Sequence, residues 1–120
     1  MRTVAIEEHF TAPDLVRRID PAAIKSRGYR PRKAPPDGPS PMELLPDLGE
    51  RRLQLMDEAG ITLQVLSNSG PGPDIMPGAE GAAISRAMND HLATAVASHP
   101  GRLAGFAVLP MQDPEACPSN

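Results

Sequence analysis

The stretch that decides the fold is residues 79–109, AEGAAISRAMNDHLATAVASHPGRLAGFAVL. Ile84, Met88, Leu92 and Val96 recur every four residues, with Ala87 and Ala95 beside them, which predicts one amphipathic helix over 79–98. Pro100 and Gly101 stop it, and 103–109 is a short apolar run closed by Pro110, a strand. Moving outward toward the N-terminus, GERRLQLMDEAGI places Leu53, Met56 and Ala59 on one helical face, with Arg51, Arg52 and Glu58 directed elsewhere. Gly60 is its natural stop, 61–66 reads as a second strand, and the turn-rich SNSGPGPDIMPG follows. At the start, Thr3 to Ile6 is a short apolar run that ends in Glu7-Glu8-His9-Phe10, a first strand with polar residues at its end. Pro13 opens a short helical stretch reaching Ile19. Strands alternating with helices call for parallel βαβ units, an α/β fold.

Between the first strand and the first long helix lies an excursion, 19–47, with Pro21, Pro31, Pro35, Pro36, Pro39, Pro41 and Pro46. Its prolines remove backbone donors and restrict their predecessors, so no regular element is expected there. Arg17, Arg18, Lys25, Arg27, Arg30, Arg32 and Lys33 crowd the same region, either drawing in an anionic substrate or forming a solvated loop.

Composition narrows the classes. The 120 residues carry a net charge of −3, with no basic excess to attract nucleic acid. No apolar run approaches the ~20 residues of a membrane span, and the first ten residues do not form a signal peptide. A single cysteine, Cys117, excludes an internal disulfide and suits the cytoplasm. Only Phe10, Tyr29 and Phe106 are aromatic, so aliphatic residues and methionine must fill the core, with Met56, Ile84 and Met88 among them.

The chemistry-bearing pair is Glu7 and His9. On an extended strand, residues two apart project from one face, with Glu8 opposite. A carboxylate and an imidazole side by side suit Zn²⁺, Mn²⁺ or Fe²⁺ better than Ca²⁺. They amount to only part of a site, since a catalytic zinc takes about three protein ligands. Ser67-Asn68-Ser69-Gly70 follows the second strand, where Asn68 or Ser69 could bond a substrate or simply form a turn. His91 and His99 read as surface or helix-capping imidazoles rather than ligands.

Three blocks in order carry a resemblance: AIEEHF at 5–10, RRLQLMDEAGITLQVLSNSGPG at 51–72 and MNDHLATAVASHPGRLAGFAVLPMQDPEA at 88–116. Together they resemble the amidohydrolase-2 family, in its γ-resorcylate decarboxylase-like branch, related to the aminocarboxymuconate-semialdehyde decarboxylases. The resemblance implies the N-terminal part of a TIM-type (β/α)₈ barrel, about three parallel strands with intervening helices, holding one divalent metal, Zn²⁺ or Mn²⁺. It implies Glu7 and His9 as metal ligands. It also implies non-oxidative decarboxylation of a small aromatic carboxylic acid, or a related hydrolysis, with that acid as partner and a homo-oligomer allowed.

A full barrel needs about 250 residues. In the family the chain continues after PEA, whereas here CPSN closes it, a divergent tail at 117–120. The expectation is an incomplete, inactive fragment whose catalytic residues lie beyond Asn120. The alternative is a non-catalytic remnant that acts as an interaction or complementation partner.

Overall fold

A computed structural model of the protein describes residues 1–30 and 35–117. Along the chain come β1 (Val4–Phe10), three short helices, α1 (Pro13–Val16), α2 (Pro21–Ser26) and α3 (Pro41–Leu44), then α4 (Glu50–Glu58), β2 (Leu63–Asn68), α5 (Gly78–Ser98) and β3 (Leu103–Gly105). The three strands form one parallel sheet in the order β1-β2-β3. The fold is α/β as the alternation predicts, with α4 and α5 as the crossovers that parallel neighbours require.

The core lies on one face of this sheet. Phe10, Leu66 and Leu103 from the three strands meet Met56 of α4, Leu92 of α5 and Leu48. A second cluster joins Ile84 and Met88 of α5 to Ile19 and Met76, with Leu15, Val16 and Ile24 packed against it. Met56, Ile84 and Met88 are buried as expected, and α5 covers the predicted span within one residue. Gly60 takes φ +69, the left-handed turn that ends α4. Ala59 is exposed beside it instead of joining the apolar face.

Several boundaries differ from the sequence reading, each for a local reason. The excursion at 19–47 is not free of regular structure, because Pro21 and Pro41 open α2 and α3. At the first helical position a missing N–H costs nothing. Asp20 accepts from the Ala22 N–H at 2.8 Å, and Ser40 and Glu43 form a reciprocal capping box. Ile24 therefore packs against the core from a segment expected to be irregular. We expect Ser40→Ala to cost about 1 kcal/mol in urea unfolding; an unchanged midpoint would mean α3 is not coupled to the fold. α1 ends at Val16, where the bonds tighten to Arg18 N–H to the Leu15 carbonyl and Ile19 N–H to that of Val16.

β2 begins two residues later than expected, since the Ile61 N–H still bonds the Met56 carbonyl at 2.8 Å. It also runs further, taking Ser67 and Asn68 out of the loop and into the strand. β3 stops at Gly105 instead of reaching 109. The Asn89 side chain explains this: its Nδ2 donates to the Val108 carbonyl at 3.0 Å and its Oδ1 accepts the Val108 N–H at 2.7 Å. That amide replaces a strand partner and draws the segment toward α5.

Among the basic residues, Arg17 pairs with Asp14, and Arg18, Lys25, Arg27 and Arg30 are exposed. Arg32 and Lys33 lie outside the described residues, as do 118–120 of the tail. Among the described residues, no helix is long and apolar enough to cross a membrane.

Candidate functional site

β1 does not alternate cleanly. It pairs Ala5 with Gln64 but Glu8 with Leu66, so three steps on β1 match two on β2. The extra residue makes a β-bulge, and Glu7 within it takes φ +69, the one described non-glycine residue with positive φ. A one-residue slip inverts the facing of everything after it. Beyond the bulge, Glu8 lies in register with Leu66, His9 with Ser67 and Phe10 with Asn68. Phe10 thereby enters the helix-covered core at 0% exposure, while His9 is exposed. Unbroken pairing from Ala5 would have buried His9 and exposed Phe10. Glu7 and His9 share a strand, as expected, but the bulge and not simple alternation brings both to solvent.

Glu7 and His9 both line a cleft of about 340 Å³ beside β1, with Leu44, Arg51, Leu55 and Met56 among its other walls. His9 Nδ1 lies 3.0 Å from Ser67 Oγ. That hydroxyl also faces the Glu8 carbonyl at 3.5 Å, to which it can donate. A hydroxyl donating there accepts from Nδ1–H, which leaves the Nε2 lone pair free. One outward imidazole nitrogen and one exposed carboxylate are donors that fit a divalent cation of the Mn²⁺ or Zn²⁺ type. Among the described residues no group of three or more His, Cys, Asp or Glu could hold a metal ion. By donor type alone, the pair suits two ligands of such a site.

Arg52 stands behind them, unforeseen in the sequence, where it reads as directed away from the apolar face of its helix. It is half-buried, and its Nε donates to the Asp47 carbonyl at 2.6 Å, one terminal nitrogen to Gln64 Oε1 at 3.0 Å and the other to the His9 carbonyl at 3.0 Å. Burial lowers its pKa, and the charges of Glu8 and Asp47 partly restore it. The missed signal was its spacing of four from Met56, which puts both on one side of α4.

Asn68 ends β2 and Ser69 follows it. The Ser69 N–H donates to the Phe10 carbonyl at 2.8 Å, so its backbone is committed to the sheet. Asn68 lines a separate cleft of about 310 Å³ with Ser67, Tyr29 and Phe106. His91 stacks near Phe10 with ring centroids 6.2 Å apart, and His99 caps α5. Neither lines the Glu7–His9 cleft.

No family model matches the chain. Individual relatives do. It is 39% identical over 113 residues to the γ-resorcylate decarboxylase of Polaromonas sp. (strain JS666), covering 93% of this chain and 32% of that protein. The chain is homologous to γ-resorcylate decarboxylases over nearly its whole length. Related solved structures superimpose on it. A dihydroxybenzoic acid decarboxylase of Polaromonas sp. JS666, with bound manganese and the inhibitor 2-nitroresorcinol, matches at TM-score 0.72 and 37% identity, over 97% of this chain and 32% of its own. The 5-carboxyvanillate decarboxylase of Novosphingobium aromaticivorans, complexed with manganese and 4-hydroxy-3-methoxy-5-nitrobenzoic acid, matches at 0.79 and 27%, over 95% and 35%. The chain thus spans about a third of the length of the relatives it matches.

Proposed function

We propose that Glu7 and His9 are two ligands of a divalent metal, Mn²⁺ or Zn²⁺, in a cytoplasmic enzyme that decarboxylates a small aromatic carboxylic acid. The observation that carries this reading is the His9 imidazole, tethered through Nδ1 to Ser67 on the solvent-facing side of a strand where Glu7 is held at positive φ. A backbone strained at a charged residue is unusual and clusters at functional sites. Manganese in two related decarboxylases supports the choice of ion.

In the proposed reaction the aryl–carboxylate carbon–carbon bond breaks, carbon dioxide leaves and the ring carbon takes a proton. A bound divalent cation supplies Lewis-acid stabilisation of the carboxylate and of a neighbouring oxygen. The chain's own residues orient: Ser67 fixes the His9 ring, Arg52 fixes the backbone beneath it, and Asn68 and Ser69 stand at the substrate side. The related hydrolysis would use the same ligands.

The test is calorimetric titration of the purified chain with MnCl₂, beside Ser67→Ala. Removing a partner that orients a ligand histidine should weaken Mn²⁺ binding about 10–100-fold. Because this hydrogen bond is exposed, unfolding should shift by less than about 0.5 kcal/mol. Equal affinity in the two proteins would remove Ser67 from the site.

A second reading is favoured by the side chains of Val4, Ile6 and Phe106, which are 43%, 64% and 56% exposed. Open apolar surface of this kind suits an interaction partner. On that reading the chain binds no metal and associates with a relative; absence of any heat with MnCl₂ would favour it.

A further inference from the structure

Both walls of the cleft at the end of β2 are tied to α5. One wall is the loop after β2, with Gly72 and Pro73; the other is the segment 106–108 that follows β3. At the first wall the opening turn of α5 lies so close that a Cβ on Gly81 would stand 3.0 Å from the Pro73 carbonyl oxygen. Gln112 Nε2 donates to the same carbonyl at 3.0 Å. At the second wall Asn89 takes hold of one residue by both its backbone groups, the Val108 carbonyl at 3.0 Å and the Val108 N–H at 2.7 Å. Gly81 and Asn89 belong to one helix and lie about 12 Å apart along it at 1.5 Å per residue. That rod sets the spacing of the walls.

Asparagine is a poor residue for the middle of a helix on its own account. Its amide, however, offers a donor and an acceptor on a short stem, which match the C=O and N–H of a single residue as a strand partner would. The neighbouring side chains of α5 complete the cradle. Leu92 lies on Gly105, where a Cβ would come within 2.3 Å of its Cδ2, and Val108 packs against the cluster that holds Met88. The last bond from this segment to the sheet is the Phe106 N–H to the Leu66 carbonyl at 2.8 Å. Among the described residues, the bonds of Asn89 are the next to fix the segment to another element. Across the cleft stands Ser67, whose hydroxyl holds His9.

We infer that Asn89 is a positioning residue for the proposed reaction: clamped on Val108, it holds the 106–108 segment at a set distance from Ser67, the residue that orients His9. This role rests on the aromatic-acid reading above, and it belongs to a residue that touches neither the acid nor the metal.

The experiment titrates the full ¹⁵N-labelled chain, in ZnCl₂, with benzoate as a plain aromatic carboxylate, beside Asn89→Leu, Asn89→Asp and Arg102→Met. Arg102 is the control: its Nε donates to the Thr62 carbonyl at 3.0 Å, before the start of β2, so its loss should destabilise the chain and leave the cleft unmoved. In Asn89→Leu the Val108 amide should lose its protection from solvent exchange. Benzoate should bind that variant about tenfold more weakly, the cost of ordering a loosened wall on binding. Asn89→Asp keeps the acceptor, so Val108 should stay protected and the affinity should fall between the two. Arg102→Met should bind benzoate as the wild type does. Equal affinity in the wild type and Asn89→Leu overturns the role. So does a loss in Arg102→Met as large as in Asn89→Leu, which would reduce the effect to stability alone. Should Asn89→Leu fail to fold, the wild type against Asn89→Asp decides in the same way. A wild-type chain that does not bind benzoate removes the aromatic-acid reading and the role of Asn89 with it. Whether the wild type binds thus tells the two failures apart.

Discussion

Glu7→Gly is expected to stabilise the chain by about 1 kcal/mol, the cost of holding a side-chain-bearing residue in the left-handed region, while removing its Mn²⁺ binding. Most substitutions at a strand end either destabilise or do nothing. Here the two effects should part, because the conformation at φ +69 is imposed by the bulge while the carboxylate is exposed and makes no hydrogen bond among the described residues. Glycine fits that conformation without strain. Glu7→Gln separates the contributions: it keeps the strain and loses the charge, so its unfolding midpoint should match the wild type while its Mn²⁺ affinity falls. Urea unfolding and calorimetric titration of the three proteins read both quantities. A Glu7→Gly chain no more stable than the wild type would contradict the left-handed bulge. One that still binds Mn²⁺ as tightly would strike Glu7 from the ligand set.

Arg52→Leu, by contrast, should destabilise the chain by about 3 kcal/mol. Three donors vanish at once, leaving the Asp47 and His9 carbonyls and Gln64 Oε1 without them. A hydrogen bond from a charged group contributes about 1.5–3 kcal/mol, and an abandoned buried acceptor about 1–3, against which Leu recovers the cost of burying the guanidinium. Arg52→Lys keeps the charge but not the planar fork, so it should recover less than half of the loss. Because Arg52 holds the His9 carbonyl, Mn²⁺ affinity should fall in both variants. Urea unfolding combined with Mn²⁺ titration measures this. A chain that loses stability but keeps full Mn²⁺ affinity would limit Arg52 to bracing α4 against the sheet.

Much of the fold was legible in the residues themselves. The four-residue recurrence of Ile84, Met88, Leu92 and Val96 needs no partner to be read, and α5 forms where it predicts. The proline-rich segment misled because proline's effect depends on position: at the first turn of a helix it supports what it would break further along. Asn89 was read only as part of a helix, because its hold on Val108 spans 19 residues and leaves no local pattern.

The candidate site divides along the same line. Glu7 and His9 stand out by residue type at a strand end, and the alternation of strands and helices, the long helix and the family likeness are all written in local pattern. Which way His9 faces is not. It depends on how β1 pairs with β2, whose Ser67 lies 58 residues away, and on a single extra residue that inverts the pleat. The same distant pairing turns Arg52 toward the His9 carbonyl and buries the Asn68 oxygen without a partner. Period and propensity are properties of neighbours along the chain and can be read there. Register, facing and hydrogen-bond satisfaction are set by segments that meet only when the sheet forms.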